Sequence, residues 1–520
     1  MYRETMQSLF EQAFANYKDR TAIKFKEREY TYAQIEQIAN QCSWAMIELG
    51  IEPGERSALL MSNCPEFIMA DLAIMKTGTG KVPLNDMLVE KEIQYILQDS
   101  EAKILFVGPN FFDVILKIKA NLPHLKYIVA ICETEICPPQ FIPWSQFISQ
   151  QPSENPQRNT QPDDLYLLAY TGGTTGLPKG VYHTQRNGYI NICSHIIETE
   201  IVDGEKMLLS TPLSHSAGLF TQTGLLRGAT IVLEQKFNPT EILNIIEKEK
   251  ITFTFMVPTM IYRILDELKE NTYDVSSINT IIYGAAPITE QRLKEGLDRF
   301  GPVFLQFFGQ TECPNFVTKL SKRDHSLNSE TVHRLKSCGR PVLMCNVKVV
   351  GPNGELVSLG EEGEIVVQSP YVMNEYYKLP EKTKETVQNG WLYTGDVGKI
   401  DEDGYVYLLD RKKDMVISGG MNVYTTEVEN VLQQHPAVSQ VAVIGVPHED
   451  WGEAVLALVI PADDHANKDE ILFHCSQLLS KYKRPKDIEF VKSFPLTPYG
   501  KLDKKALRAK YWGTVERSVN

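Results

Sequence analysis

The chain has 520 residues, 43% of them hydrophobic and 23% charged, with a formal net charge of −13. That length exceeds what a single hydrophobic core supports, so two or more domains are expected. The acidic balance argues against a nucleic-acid surface, which is normally basic, and any anionic ligand must be held by local donors rather than by the overall field.

In chain order, Thr5 to about Ala15 and Tyr32 to Leu49 suit amphipathic helices, the second closed by Gly50 in a C-cap position. Strand-like runs at Ser57 to Met61, Ile104 to Val107 and Tyr127 to Ile131 alternate with helical stretches such as Phe67 to Lys76. This alternation predicts helices packed on largely parallel sheets. After a polar loop from Gln150 to Asp164 the pattern resumes, with apolar runs at Met207 to Leu209, Ala229 to Leu233, Thr252 to Val257 and Thr280 to Tyr283. Past Arg340, short strands at Asn346 to Val350, Glu364 to Gln368 and Tyr405 to Leu409 stand between Gly-rich turns, which suits a small β-rich subdomain. The charged stretch Asp410 to Lys413 then precedes a tail that reads helix, strand, strand, helix (Thr425 to Gln434, Gln440 to Ile444, Ala454 to Ile460, Asp469 to Lys481). The expected fold is α/β. A large N-terminal domain of helix-flanked sheets with the β-rich subdomain spans 1–409, a hinge spans 410–413, and a small mobile α+β domain spans 414–520.

Nine cysteines are scattered, and the nearest pair, Cys132 and Cys137, lacks a metal or redox spacing, as expected of reduced thiols. The amino-terminal stretch has no apolar core with a cleavage site, and no segment is apolar for long enough to span a bilayer. A cytoplasmic protein without a transmembrane segment is expected, with peripheral membrane contact and a homodimer left open.

The stretch with the most chemistry is LYLLAYTGGTTGLPKG, from Leu165 to Gly180. A short apolar run breaks into glycine, threonine and a proline-lysine pair, as a strand ending in a phosphate loop does. Gly172, Gly173 and Gly176 can turn successive N–H groups toward one anion, Thr171, Thr174 and Thr175 add hydroxyl donors, and Lys179 adds a full charge. A Walker A loop needs lysine followed by serine or threonine; here Gly180 follows Lys179, so that reading is rejected.

Further motifs follow in order: PLSHSAG from Pro212, YGAAP from Tyr283, QFFGQTE from Gln306, GRP from Gly339, YTGD from Tyr393, DRKKD from Asp410, SGGMNV from Ser418 and PYGKLDK from Pro498. Together they resemble the adenylate-forming superfamily of acyl-CoA synthetases, peptide-synthetase adenylation domains and firefly-type luciferases, over nearly the whole chain. The resemblance implies that a carboxylate attacks the α-phosphorus of ATP to give an acyl-adenylate, and that a thiol then displaces AMP. It assigns Lys501 to bridging the carboxylate and the ATP oxygens, Glu312 with Thr171 to magnesium, and Thr311 to the α-phosphate. Asp396 is assigned to the ribose hydroxyls and Arg411 to ribose or phosphate. Phe308 stands where the family commonly has tyrosine, and Gly309, Ala285, Ala286 and Pro287 complete the nucleotide wall. His215 is placed at the junction of acyl and thiol tunnels in an orienting role. Lys413 is placed at the hinge, and Gly419 and Gly420 pass close to a pantetheine arm.

The acyl pocket is expected around His215, Leu219, Met256 to Thr259, Tyr283, Gly284, Phe307 and Cys313. No acidic anchor for an α-ammonium group stands there, and the chain ends without a carrier domain, which favours a fatty or aromatic acid and free CoA. The implied partners are thus a small carboxylic acid, ATP with Mg2+, and CoA. The alternatives are an adenylating enzyme that loads a separate acyl carrier protein and a non-catalytic acyl-adenylate binding protein; luciferase-like oxygenation shares the motifs.

Overall fold

The computed structural model describes residues 3–171, 178–286, 288–463, 465–497 and 502–512. They fall into two units, the first made of residues up to 346 with 368–392, the second of 347–367 with 393 onward. The sequence reading cut the chain at 410 instead, leaving the β-rich subdomain with the first domain. Hydrogen bonds across that cut explain the different grouping. Tyr424 donates to Glu362 at 2.6 Å, and Asp410 accepts from the Thr425 N–H at 2.5 Å and hydroxyl at 2.8 Å.

In the first unit the apolar runs resolve into two sheets. One, from edge to edge, contains Glu375–Tyr376, Lys179–Thr184, Leu165–Thr171, Gly80–Pro83, Arg56–Leu60, Ile104–Val107, Tyr127–Ala130 and Ile142–Pro143. The other contains Arg340–Pro341, Cys313–Leu320, Phe304–Gln310, Thr280–Tyr283, Phe253–Met256, Lys206–Leu209, Thr230–Leu233, Thr21–Phe25 and Arg28–Thr31. Most neighbouring inner strands are parallel, as expected from the alternation; the exceptions are Leu165–Thr171 with Lys179–Thr184 and Phe304–Gln310 with Cys313–Leu320. Strands such as Ile104–Val107 and Phe253–Met256 are buried at every position, because both faces of a parallel sheet are covered.

Helices Pro65–Thr77 and Ser216–Leu226 are buried almost all round. They form a middle layer: the first packs on Arg56–Leu60 and Gly80–Pro83, the second on Lys206–Leu209 and Thr230–Leu233, and Gln185–Glu198 touches strands of both sheets. Outside, Glu90–Asp99 and Phe112–Ile118 cover the first sheet. Pro239–Glu249, Pro258–Glu270 and Glu290–Phe300 cover the second.

One local expectation is refined. The strand Leu165–Thr171 ends where the sequence suggested, but the chain then returns as Lys179–Thr184, antiparallel to it with Thr171 opposite Lys179. The glycine-rich stretch therefore joins the arms of a β-hairpin, and helix begins only at Gln185, behind a capping box of Thr184 and Asn187. Gly172, Gly173, Thr174, Thr175 and Gly176 themselves lie outside the described residues.

A five-stranded sheet of Asn346–Val350, Gly363–Gln368, Trp391–Ile400, Val387–Gln388 and Val406–Arg411 lies mostly in the second unit. A further sheet orders Met421–Val423, Val416–Ser418, Gly452–Pro461 and Val438–His448, with Asp487–Phe490 parallel to Gly452–Pro461. Helices Thr425–Leu432 and Lys468–Leu478 bury one face of this sheet through Val428, Leu432, Ile471 and Cys475, and Lys504–Trp512 buries the other through Leu507.

Candidate active site

Two hairpins of the first unit meet at one tyrosine. Strands Phe304–Gln310 and Cys313–Leu320 pair antiparallel with Gln310 opposite Cys313, which puts Thr311 and Glu312 at the turn. Glu312 is only 8% exposed, and a carboxylate so placed needs donors. Tyr376 supplies one, its hydroxyl 2.6 Å from Glu312 Oε1, and the Met373 N–H holds the Glu312 carbonyl at 2.7 Å. The Lys179 ammonium lies 3.9 Å from the centre of the Tyr376 ring, a cation–π contact. Burial lowers the Lys179 pKa and the Glu312 charge works against it. His183 braces the same turn through Nε2 to the Thr311 carbonyl at 2.8 Å. A carbonyl only accepts, so Nε2 carries the proton, and burial takes the His183 pKa down to about 4, keeping the ring neutral.

Beside this turn the backbone comes close to itself. Ala285 has φ +66°, in the left-handed region, and Ala285 and Ala286 are both exposed. Such a conformation is uncommon in a residue with a side chain. A Cβ on Gly309 would meet the Asn315 carbonyl oxygen at 2.4 Å, and one on Gly284 would meet the Phe307 carbonyl oxygen at 2.7 Å. Phe308 is half-buried, and Pro287 lies outside the described residues.

Three asparagines hold the segment that carries His215. Asn63 accepts from the Leu213 N–H at 2.9 Å and donates to the Thr211 carbonyl at 2.9 Å. Asn85 faces His215 Nε2 at 2.6 Å. Asn315, itself at φ +60°, accepts from the Ser216 hydroxyl at 2.8 Å and donates to His195 Nε2 at 2.9 Å. His195 in turn donates from Nδ1 to the Asn191 carbonyl at 2.8 Å, and burial lowers its pKa to about 4. The start of helix Ser216–Leu226 is thus tied to both sheets.

The residues expected around an acyl chain divide. Phe307 packs on Phe220, Phe255 and Phe316 with ring centres 5.5 to 5.8 Å apart. Tyr283 pairs with Gln306, one residue before Phe307, and so points to the opposite face of the sheet. There it is fully buried against Phe304 and hydrogen-bonded to His325 Nε2 at 2.9 Å. Tyr283 and Phe307 therefore cannot line one cavity. Leu219 is half-buried one helical turn beyond His215, and Cys313 is buried at the base of the Glu312 turn.

In the second unit Asp396 and Arg411 stand opposite each other on paired strands, with Arg411 Nε 2.6 Å from Asp396 Oδ1. The turn before them is held by Glu364, which accepts from the Gly395 N–H at 3.0 Å and pairs with Lys412 at 3.2 Å. Burial lowers the Lys413 pKa, with Asp414 opposing. Gly419 and Gly420, at φ +57° and +77°, make the turn between Val416–Ser418 and Met421–Val423, where positive φ favours glycine. Lys501 lies outside the described residues.

Residues 10–377 match the family model described as AMP-binding enzyme, and residues 427–501 match the AMP-binding enzyme C-terminal domain. The chain belongs to the AMP-binding enzyme family, in its acyl-CoA synthetase branch. It is 36% identical to the medium/long-chain-fatty-acid–CoA ligase FadD8 of Mycobacterium tuberculosis, over 98% of this chain and 90% of that one. It is 35% identical to a feruloyl-CoA synthase of an Amycolatopsis species, over 94% and 96% of the two chains. In structure it is similar to the anthranilate CoA ligase AuaEII solved in complex with anthranoyl-AMP, with a TM-score of 0.90, 27% identity and 98% of each chain covered.

Sequence reading of this AMP-binding enzyme missed Tyr376, His183 and the asparagines at 63, 85 and 315. The only signal for Tyr376 was an aromatic pair before a proline (Tyr376, Tyr377, Pro380), which reads equally well as packing. Among the described residues no cluster of three or more His, Cys, Asp or Glu could hold a metal by itself. Glu312, a single buried carboxylate, still fits magnesium, which takes one or two carboxylates and completes its shell with phosphate oxygens and water. No helix among the described residues is long and apolar enough to cross a membrane.

Proposed function

We propose that this enzyme activates a fatty or aromatic carboxylic acid with ATP and transfers the acyl group to CoA. The observation that carries the reading is the convergence of Lys179 and Glu312 on Tyr376, which sets a cation and a buried carboxylate at the ends of two hairpins, where a triphosphate needs both. In the first step an acid oxygen attacks the α-phosphorus, the bond to the pyrophosphate oxygen breaks, and pyrophosphate leaves with the electron pair. Lys179 and Thr171 bind phosphate oxygens, Thr311 orients the α-phosphate, and Lys501 bridges the two anions, which lowers the cost of bringing them in line. Glu312, with Thr171, would hold magnesium, which supplies charge neutralisation at the phosphates. Phe308 stacks on adenine, against the close backbone of Gly309, Ala285, Ala286 and Pro287, while Asp396 and Arg411 take the ribose.

In the second step the CoA thiolate attacks the acyl carbon and AMP leaves with the electron pair of the cleaved bond. A turn at Lys413 exchanges Lys501 for the loop of Gly419 and Gly420, whose lack of side chains leaves room for a pantetheine arm. His215, with Leu219, Gly284, Phe307 and Cys313, borders the acyl group. The reaction runs in the cytoplasm, a reading supported by nine cysteines that are all free thiols.

The test is a panel of fatty and aromatic acids assayed for pyrophosphate release with ATP and magnesium, with CoA and without any carrier protein. CoA-dependent AMP release and a thioester product are expected. Absence of pyrophosphate release with every acid overturns the reading, and adenylation without CoA-dependent turnover replaces CoA with a carrier protein.

A further inference from the structure

His215 sits immediately before helix Ser216–Leu226, and its ring is half-buried. The Asn85 amide beside it has a readable orientation. Its Oδ1 accepts from the Met87 N–H at 2.8 Å, which turns Nδ2 toward His215 Nε2 at 2.6 Å. An amide nitrogen donates and does not accept, so His215 Nε2 must present its lone pair, and the neutral ring must carry its proton on Nδ1. Asn85 itself is buried, 2% exposed.

We propose that Asn85 is a positioning residue that holds His215 in the Nδ1–H form by donating to Nε2. The inference rests on the functional reading above, which places His215 beside the acyl group. Nε2 is thereby occupied and does not take the proton of the CoA thiol, so the role of His215 is orienting. Two features set Asn85 apart from a packing residue. It comes from the segment following Gly80–Pro83 in one sheet, whereas the next residue, Ser216, is held by Asn315 from the other. Its second amide atom is already committed to the backbone, so the side chain cannot rotate to reverse the bond without losing the Met87 contact.

The test uses the full chain with isotope-labelled histidine and a long-range proton–nitrogen spectrum, recorded at a pH where the imidazoles are neutral. The His215 signals are assigned by their loss in His215→Gln. The wild-type ring is expected as the Nδ1–H form. Asn85→Asp keeps an acceptor for the Met87 N–H, so the turn survives, but offers only acceptors to the ring, and His215 is expected to move its proton to Nε2. In that variant kcat/KM for thioester formation is expected to fall on the order of tenfold, and by a larger factor than pyrophosphate release. An Nε2–H ring in the wild type, or an unchanged form in Asn85→Asp, overturns the proposal, and the wild-type spectrum decides the first point even if the Asp variant does not fold. A wild-type chain that activates no acid overturns the functional reading but leaves the assigned form of the ring standing, so the two failures are distinct.

Discussion

Tyr376 donates its hydroxyl to Glu312 Oε1 at 2.6 Å while its ring faces the Lys179 ammonium at 3.9 Å, so one side chain sets the spacing of the carboxylate and the cation. Tyr376→Phe removes the hydroxyl and keeps the ring. The magnesium concentration that half-saturates pyrophosphate release is expected to rise on the order of tenfold, because the carboxylate loses the donor that orients it. Tyr376→Leu should add a rise in the KM for ATP. A magnesium titration unchanged in the Phe variant would remove Glu312 from the metal-binding role.

Stability should fall on mild acidification. His183, His195 and His325 are buried, and burial lowers each from 6.5 to about 4. Between those values the unfolded chain binds protons that the folded chain refuses, so stability is lost as pH drops through that window and is fully present above it. The expected loss is ~2 kcal/mol per histidine by about pH 5. Urea midpoints across this range measure it. His195→Gln is expected to be less stable at neutral pH but to lose less on acidification; equal slopes in variant and wild type would sink the assignment.

The C-terminal helix Lys504–Trp512 is tied down by buried charge. Lys504 lies 2.7 Å from Glu429 and 2.6 Å from the Thr425 hydroxyl, and Arg508 lies 2.7 Å from Asp414. Burial pushes the Lys504 pKa down, but Glu429 and Asp410 more than offset it, and the net shift is upward. Lys504→Met leaves Glu429 buried and unpaired, which should cost about 3–5 kcal/mol. Adding Glu429→Leu should recover much of that loss in urea unfolding. If the double variant is no more stable than the single one, the cost comes from packing.

Lys413→Pro restricts the backbone at the proposed pivot. Pyrophosphate exchange is expected to persist and thioester formation to fall at least about tenfold. Equal loss of both activities would count against a turn at this residue.

Much of the fold was legible because parallel strands buried on both faces are written as uninterrupted apolar runs. Ile104 to Val107 and Thr280 to Tyr283 were read with the bounds observed. The hairpin behind the glycine-rich stretch was not, because Lys179 to Thr184 (KGVYHT) shows neither a continuous apolar run nor a strict polar–apolar alternation. Which face Tyr283 takes was equally hidden: Tyr283 and Phe307 are both large and aromatic, and only the pairing of Tyr283 with Gln306 shows that they point apart.

By itself the amino-acid sequence determined the family and the order of the motifs, because each motif is carried by a short contiguous stretch. Tertiary structure alone decided which of those stretches touch and what holds them. Tyr376 reaches Glu312 across 64 positions of chain and Asn85 reaches His215 across 130. Such contacts follow from strand order and register, which the sum of many weak packing terms sets and no local pattern records.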